Sequence, residues 1–214
     1  LFRSLSPIFG LMVYFLFGRS GLTKHTRERM DAVNRQVEAL FQRDSAVEKG
    51  LEKESRSAYL QSSYIDKWAG FPLYQNTQTK YYSCGEEMFP DMLEALRGAK
   101  HFIFLEYFII EEGYMFNTIL DILEEKAKAG VDVRFIYDDV GSINSISFGY
   151  YKKLQERGIP CVTFNPFKPL ISVVMNNRDH RKIFVVDGYI GFTGGINLAD
   201  EYINKVKRFG YWKD

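Results

Sequence analysis

From about residue 71 onward the chain alternates short apolar runs with segments whose apolar residues recur at helical spacing. "FPLYQN" (71–76) and "TKYYSC" (79–84) predict two short strands around a Gln-Asn-Thr turn region. "MFPDMLEALRGAK" (88–100) predicts a helix in which Phe89, Met92, Leu93 and Leu96 share a face and Gly98 is the stop. "HFIFLEYFII" (101–110) is nearly continuous in apolar residues, which predicts a strand buried on both faces. "FNTILDILEEKAKAG" (116–130) is the next helix and "VDVRFIYDD" (131–139) the next strand. "SFGYYKKLQERG" (147–158) and "IPCVTFN" (159–165) repeat the pair. This βαβ order predicts an α/β fold, with a largely parallel sheet covered by helices on both faces. A long irregular loop follows from about Pro166, and then the pattern changes. "HRKIFVVDGYIGFTGG" (180–195) reads as two extended runs joined at Asp187-Gly188, a strong hairpin signal.

The N-terminal third reads differently. Leu5 to Gly18 is almost wholly apolar, and it is shorter than the roughly 20 residues a spanning helix needs. Leu1 stands where a start methionine would, so residues 1–18 are read as the end of a membrane segment, with a signal peptide or a buried helix as the competing readings. Arg19, Lys24, Arg27 and Arg29 follow at once, which would place the rest on the cytoplasmic side. In residues 27–44 Met30, Val33, Val37, Leu40 and Phe41 fall at helical spacing, which predicts an amphipathic helix packed on the domain. Residues 44–69 are polar and helical in part. The expected organisation is therefore 1–18 membrane segment, 19–69 helical juxtamembrane region and 70–214 α/β domain, cut at its C-terminal end.

Composition excludes some functions. The 28 Lys+Arg nearly balance 27 Asp+Glu, so no whole-chain attraction to nucleic acid is indicated. Cys84 and Cys161 lie far apart and outside metal-ligand spacing, and are read as reduced and buried.

The chemistry concentrates in the hairpin. Side chains alternate along a strand, so His180 and Lys182 point to one face and Arg181 away. A single histidine on a strand is most simply a surface or core residue. A lysine two positions on changes that reading, because the ammonium can neutralise phosphate oxygens while the imidazole attacks phosphorus. The return strand brings Thr193, Gly194, Gly195 and Asn197 back to the same end. Glycines let backbone N–H groups approach an anion, and Asn197 offers an amide donor.

"HRKIFVVDGYIGFTGGIN" resembles the HxKxxxxD signature of the phospholipase D superfamily with its trailing Gly-Ser-x-Asn. His180, Lys182 and Asp187 fall at the signature positions, and Gly194 and Asn197 match the trailing element; Gly195 stands where many members have Ser. "FPDMLEALRGAKHFIFLEYFII", "GVDVRFIYDDVGS", "NNRDHRKIFVVDG", "GFTGGINLADEY" and "GYWKD" extend the resemblance to bacterial cardiolipin synthases. The resemblance implies a phospholipase D-like mixed, largely parallel sheet flanked by helices behind a membrane-proximal helical segment. It implies an enzyme without metal or cofactor, a phosphatidyltransferase joining two phosphatidylglycerols at a bacterial membrane and releasing glycerol. His180 would form a phosphohistidine, and a second histidine would protonate the leaving glycerol and then activate the second lipid's hydroxyl.

Only one HxK is present, since His25 and His101 lack a lysine two residues on. The second motif is expected from the rest of a longer protein, or from a second copy, and the chain alone would be inactive or nearly so. A homodimeric nuclease or other phosphodiesterase and a non-catalytic membrane-anchored domain are the alternatives; balanced charge counts against the nuclease. Asp187 is read as structural support more than as a proton carrier. Glu106, an acid in an apolar strand, needs a partner, with a histidine or lysine of the site as the candidates. Asp138 and Asp139 end a strand where α/β folds often bind ligands, and are read as a loop before a helix. Asp200 or Glu201 could orient an imidazole. Tyr81, Tyr82, Tyr107 and Phe108 are read as core or pocket lining.

Overall fold

A computed structural model of the chain describes residues 8–12, 24–167, 178–208 and 210–214. Most of the apolar N-terminal run lies outside the described residues; residues 8–12 are helical. Among the described residues no helix is long and apolar enough to cross a membrane. The contacts divide the chain into a helical unit, Arg19–Lys80, and a unit that holds Tyr81–Asp214.

The helical unit contains α1 (Lys24–Glu38), α2 (Ser45–Glu54) and α3 (Arg56–Ala69). Side chains start the second and third. Asp44 accepts the N–H of Ala46 at 2.8 Å and Ser55 accepts that of Ala58 at 3.3 Å, each answering a donor that the first helical turn leaves open. Gly70, with φ of 75°, ends α3 in the left-handed conformation that costs glycine little. The strands expected at 71–76 and 79–84 do not form: the segment is irregular and takes no place in the sheet. Its alternation of Tyr, Gln and Thr has strand propensity, but propensity without a pairing partner does not make a strand.

The second unit contains α4 (Gly85–Gly98), β1 (Phe102–Tyr107), α5 (Tyr114–Lys128), β2 (Asp132–Asp138), α6 (Tyr150–Glu156), β3 (Cys161–Phe164), β4 (Ile183–Val186), β5 (Ile190–Phe192) and a 3₁₀ turn at Asp200–Ile203. The strands form one mixed sheet in the order β3-β2-β1-β4-β5. β1, β2 and β3 pair in parallel, while β4 runs antiparallel to β1 and β5 antiparallel to β4. The expected α/β sheet is therefore present, with its parallel character confined to the first three strands.

One face of the sheet holds the core. Ile103, Leu105, Tyr107, Val133, Phe135, Tyr137, Phe184 and Val186 are buried there with Met92 and Leu96 of α4, Phe116 and Leu120 of α5, and Leu154 of α6. Each large apolar side chain buried this way stabilises the fold by roughly 1.5–3 kcal/mol relative to exposure. The other face differs from expectation. Phe102, Phe104, Glu106, Ile136, Ile183 and Val185 are only half-buried and stand outside the core cluster. β1 is thus alternately buried and half-exposed rather than buried on both faces, and among the described residues the helices join the core from one side. The continuous apolar run misled because its open-face positions are aromatic: the rings of Phe102 and Phe104 stack at 4.6 Å, and the Arg134 guanidinium lies 5.0 Å from the Phe104 ring.

The hairpin forms as expected. Asp187 and Gly188 have φ of 52° and 76°, the left-handed backbone that both central positions of a type I′ turn require. Asp187 does more than turn the chain. Its carboxylate accepts the N–H groups of Lys100, His101 and Phe102 at 2.7–2.8 Å, tying the hairpin to the entry of β1. Burial works to raise its pKa, but these three donors outweigh burial and hold it below the usual aspartate value.

Candidate active site

β4 is antiparallel to β1, so the residues just before β4 arrive at the C-terminal ends of β1 and β2. In open α/β sheets this is the edge at which ligand crevices form. His180 and Lys182 stand there together. The Lys182 ammonium lies 3.3 Å from Nδ1 of His180 and donates to the His180 carbonyl at 2.8 Å. Phe108, just beyond β1, lies under both: its ring is 4.6 Å from the imidazole, centre to centre, and 5.3 Å from the ammonium. His180 is exposed, whereas Lys182 is 5% exposed. Burial lowers the Lys182 pKa from the ordinary lysine value, against the opposing pull of the Asp179 and Asp214 carboxylates. An accessible imidazole thus stands beside a cation that is held in place by packing.

The residue between them faces elsewhere. Arg181 grips Asp179, with Nε–Oδ1 at 2.9 Å and Nη2–Oδ2 at 3.0 Å. Its Nη2 also lies 2.7 Å from Oε1 of Glu106, as an ion-pair contact without hydrogen-bond geometry. The partner that Glu106 needed is therefore Arg181 rather than a histidine or lysine of the site. Two carboxylates so close resist joint ionisation. Burial, then the contact with Asp179, pushes Glu106 up to about 7, although Arg181 pulls the other way; Asp179 is held low, chiefly by its bond from Arg181.

A raised carboxylate pKa has a definite consequence for stability. Its contribution is fully present below the unfolded value, about 4.3, and is lost as pH rises through about 7. Melting temperatures of the parent chain and Glu106→Gln are therefore expected to diverge with pH across this window. The parent should lose stability relative to the variant as pH rises, and parallel curves would contradict the raised Glu106 pKa.

Asp138 and Asp139, read from sequence as a simple loop, anchor the chain that leads to His180. Asp138 is fully buried and accepts the N–H of Gly141 at 2.8 Å, the N–H of Asp179 at 2.9 Å and Nη1 of Arg178 at 3.2 Å. Asp139 accepts the N–H of Phe167 at 2.7 Å.

The glycine end of the hairpin lies on the same rim. The N–H of Gly195 donates to the Asp214 carboxylate at 2.7 Å, and a Cβ at Gly194 would stand 2.8 Å from the same oxygen. Close approach, not a positive φ, is what glycine supplies here. Asn197 is turned inward. It is 3% exposed, its Oδ1 accepts the N–H of Ile109 at 3.0 Å and its Nδ2 donates to the Tyr202 hydroxyl at 2.8 Å. Asp200 caps α5 by accepting the N–H groups of Tyr114 and Met115, which assigns it a structural task away from the imidazole. Cys84 and Cys161 are both buried, and neither is in a disulfide.

Comparison with known proteins places this chain in a family. The family described as "Cardiolipin synthase, PLD-like domain" matches residues 92–207. An uncharacterised protein of Streptococcus mutans is 44% identical over 191 residues, 88% of this chain and 41% of that protein. A cardiolipin synthase of Alkalihalophilus pseudofirmus is 37% identical over 210 residues, 97% of this chain and 42% of the relative. Cardiolipin synthase 2 of Bacillus anthracis is 34% identical over 209 residues, 97% of this chain and 40% of the relative. The chain therefore spans about two fifths of the length of these relatives. Among solved structures, the phospholipase D family member Nuc from Salmonella typhimurium is similar at 24% identity and a TM-score of 0.42, covering 53% of this chain and 66% of that one.

Proposed function

The chain belongs to the cardiolipin synthase family of phospholipase D-like domains, and from that premise we propose that the complete protein is a phosphatidyltransferase. It joins two phosphatidylglycerols at the cytoplasmic side of a bacterial membrane. The observation that carries this reading is the Lys182 ammonium beside the exposed His180 imidazole, 3.3 Å from its Nδ1.

In the proposed cycle a nitrogen of His180 attacks the phosphorus of the first lipid. The bond from phosphorus to the glycerol headgroup breaks, and the departing oxygen takes a proton from a second histidine. That histidine, now neutral, removes the proton from a hydroxyl of the second phosphatidylglycerol. The new alkoxide attacks phosphorus, the N–P bond breaks, and His180 is restored. Lys182 faces the non-bridging oxygens as charge builds on them. Gly195 supplies a backbone donor; that its N–H already donates to a carboxylate oxygen supports an anion at this position. Asn197 supports the loop through Ile109 and Tyr202, and Asp187 holds the hairpin to β1. The second histidine, absent from this chain in an HxK setting, comes from the remainder of a longer protein or from a second copy.

The test follows phosphatidylglycerol in liposomes with the complete protein and with His180→Ala. Cardiolipin and free glycerol should appear in equal amounts with the parent and be lost in the variant. Unchanged cardiolipin formation by His180→Ala would remove the proposed nucleophile.

A further inference from the structure

The helical unit shows an inversion of the usual logic of helix packing. An amphipathic helix normally buries its large apolar residues and exposes its small or polar ones. In α3 the half-buried positions are Ala58, Tyr59, Ser62, Ser63 and Asp66. Leu60, Tyr64, Ile65 and Trp68, spaced as one helical stripe, are 54%, 66%, 50% and 69% exposed. Phe71, just after the helix, is 59% exposed. A stripe of this size with no cover among the described residues is a surface awaiting a partner.

The charges around the stripe select the partner. Asp66, the only acid of α3, is turned inward onto Arg43 by contacts of 2.9 and 3.2 Å. Lys67 is exposed and its ammonium lies 5.3 Å from the Trp68 ring. The outward side therefore combines a tryptophan, a tyrosine, two aliphatic residues and a lysine, with no acid. Trp and Tyr favour the headgroup level of a bilayer, and a neighbouring lysine favours anionic lipid. We infer that the Leu60–Tyr64–Ile65–Trp68 face of α3 docks on the surface of an anionic phospholipid bilayer, lying in its interface rather than crossing it. The inference rests on the proposed reading for the expectation that phosphatidylglycerol is the lipid met there. It gives the helical unit a task the catalytic chemistry does not assign, which is to keep the enzyme on the surface that holds its substrate.

Fluorescence tests this directly, because the chain has two tryptophans and Trp68→Phe isolates the signal of one. Vesicles of dioleoyl phosphatidylcholine and phosphatidylglycerol are added to the 214-residue chain, with and without bromine on the acyl chains. Trp68 emission, taken as the difference between parent and variant, should shift to shorter wavelength and be mostly lost on brominated lipid. Leu60→Gln with Tyr64→Gln should abolish that loss. The docking would be overturned by Trp68 emission that an aqueous quencher still reaches on vesicles. Equal quenching in the double variant would overturn it too. So would a Trp68 already shielded from the aqueous quencher before lipid is added, since a second copy or another part of the chain would then cover the face. The readout needs no turnover. Docking of the chain with no cardiolipin formed by the complete protein would contradict the transferase reading alone, and cardiolipin formation by the complete protein with a water-exposed Trp68 would contradict the docking alone.

Discussion

Lys182→Met is expected to lower phosphatidyl transfer by the complete protein by a factor of about 10²–10³ without lowering the stability of the domain. The two halves of this expectation come from the same geometry. The ammonium lies 3.3 Å from Nδ1 of His180, and a thioether cannot answer the charge that develops on phosphate oxygens. Yet at 5% exposure the ammonium is disfavoured by burial, which lowers its pKa. Methionine keeps the length and the contact with Phe108 while removing the buried charge. Initial rates of cardiolipin formation, set beside melting curves, check both parts. A variant within a few-fold of the parent rate would show that Lys182 does not face the reacting phosphate.

Asp138→Ala is expected to act on stability and activity together, costing about 3–5 kcal/mol. Asp138 is fully buried and its carboxylate receives two backbone N–H groups and the Arg178 guanidinium. Removing it deprives those donors of a charged acceptor inside the protein, which is the costly direction of such a change. One of the donors is the N–H of Asp179, the residue before His180, so the imidazole loses its anchor as well. Asp138→Asn retains an acceptor oxygen and should fall between parent and alanine. Chemical denaturation measures the loss, and a change below about 1 kcal/mol for alanine would contradict the anchoring role.

The parts of this site that local pattern governs were legible in the sequence. Alternation along an extended chain placed His180 and Lys182 on one side and Arg181 on the other, and the side-chain contacts agree. Asp-Gly specified the turn because both residues tolerate left-handed backbone. The parts that failed depend on contacts distant in sequence. Glu106 meets Arg181 only because β4 inserts beside β1, and Asn197 turns inward because the N–H of Ile109, 88 residues away, needs an acceptor. A partial signal was available for the first of these. Asp179 and Arg181 share a face by the same two-residue period that pairs His180 with Lys182, so a buried acid elsewhere could have been matched to that arginine. Asp138 offered no such signal, since a buried aspartate at a strand end and an exposed one read alike. The absence of a sheet partner for residues 71–84 is likewise a property of the assembled sheet and not of the segment.

The covalent intermediate tests the proposed chemistry most directly. The complete protein, turning over phosphatidylglycerol labelled with radioactive phosphorus, is quenched in base, digested and mapped. The expected result is acid-labile label on the peptide that contains His180, absent from His180→Ala. Cardiolipin formation at full rate with no label ever found on His180 would contradict it.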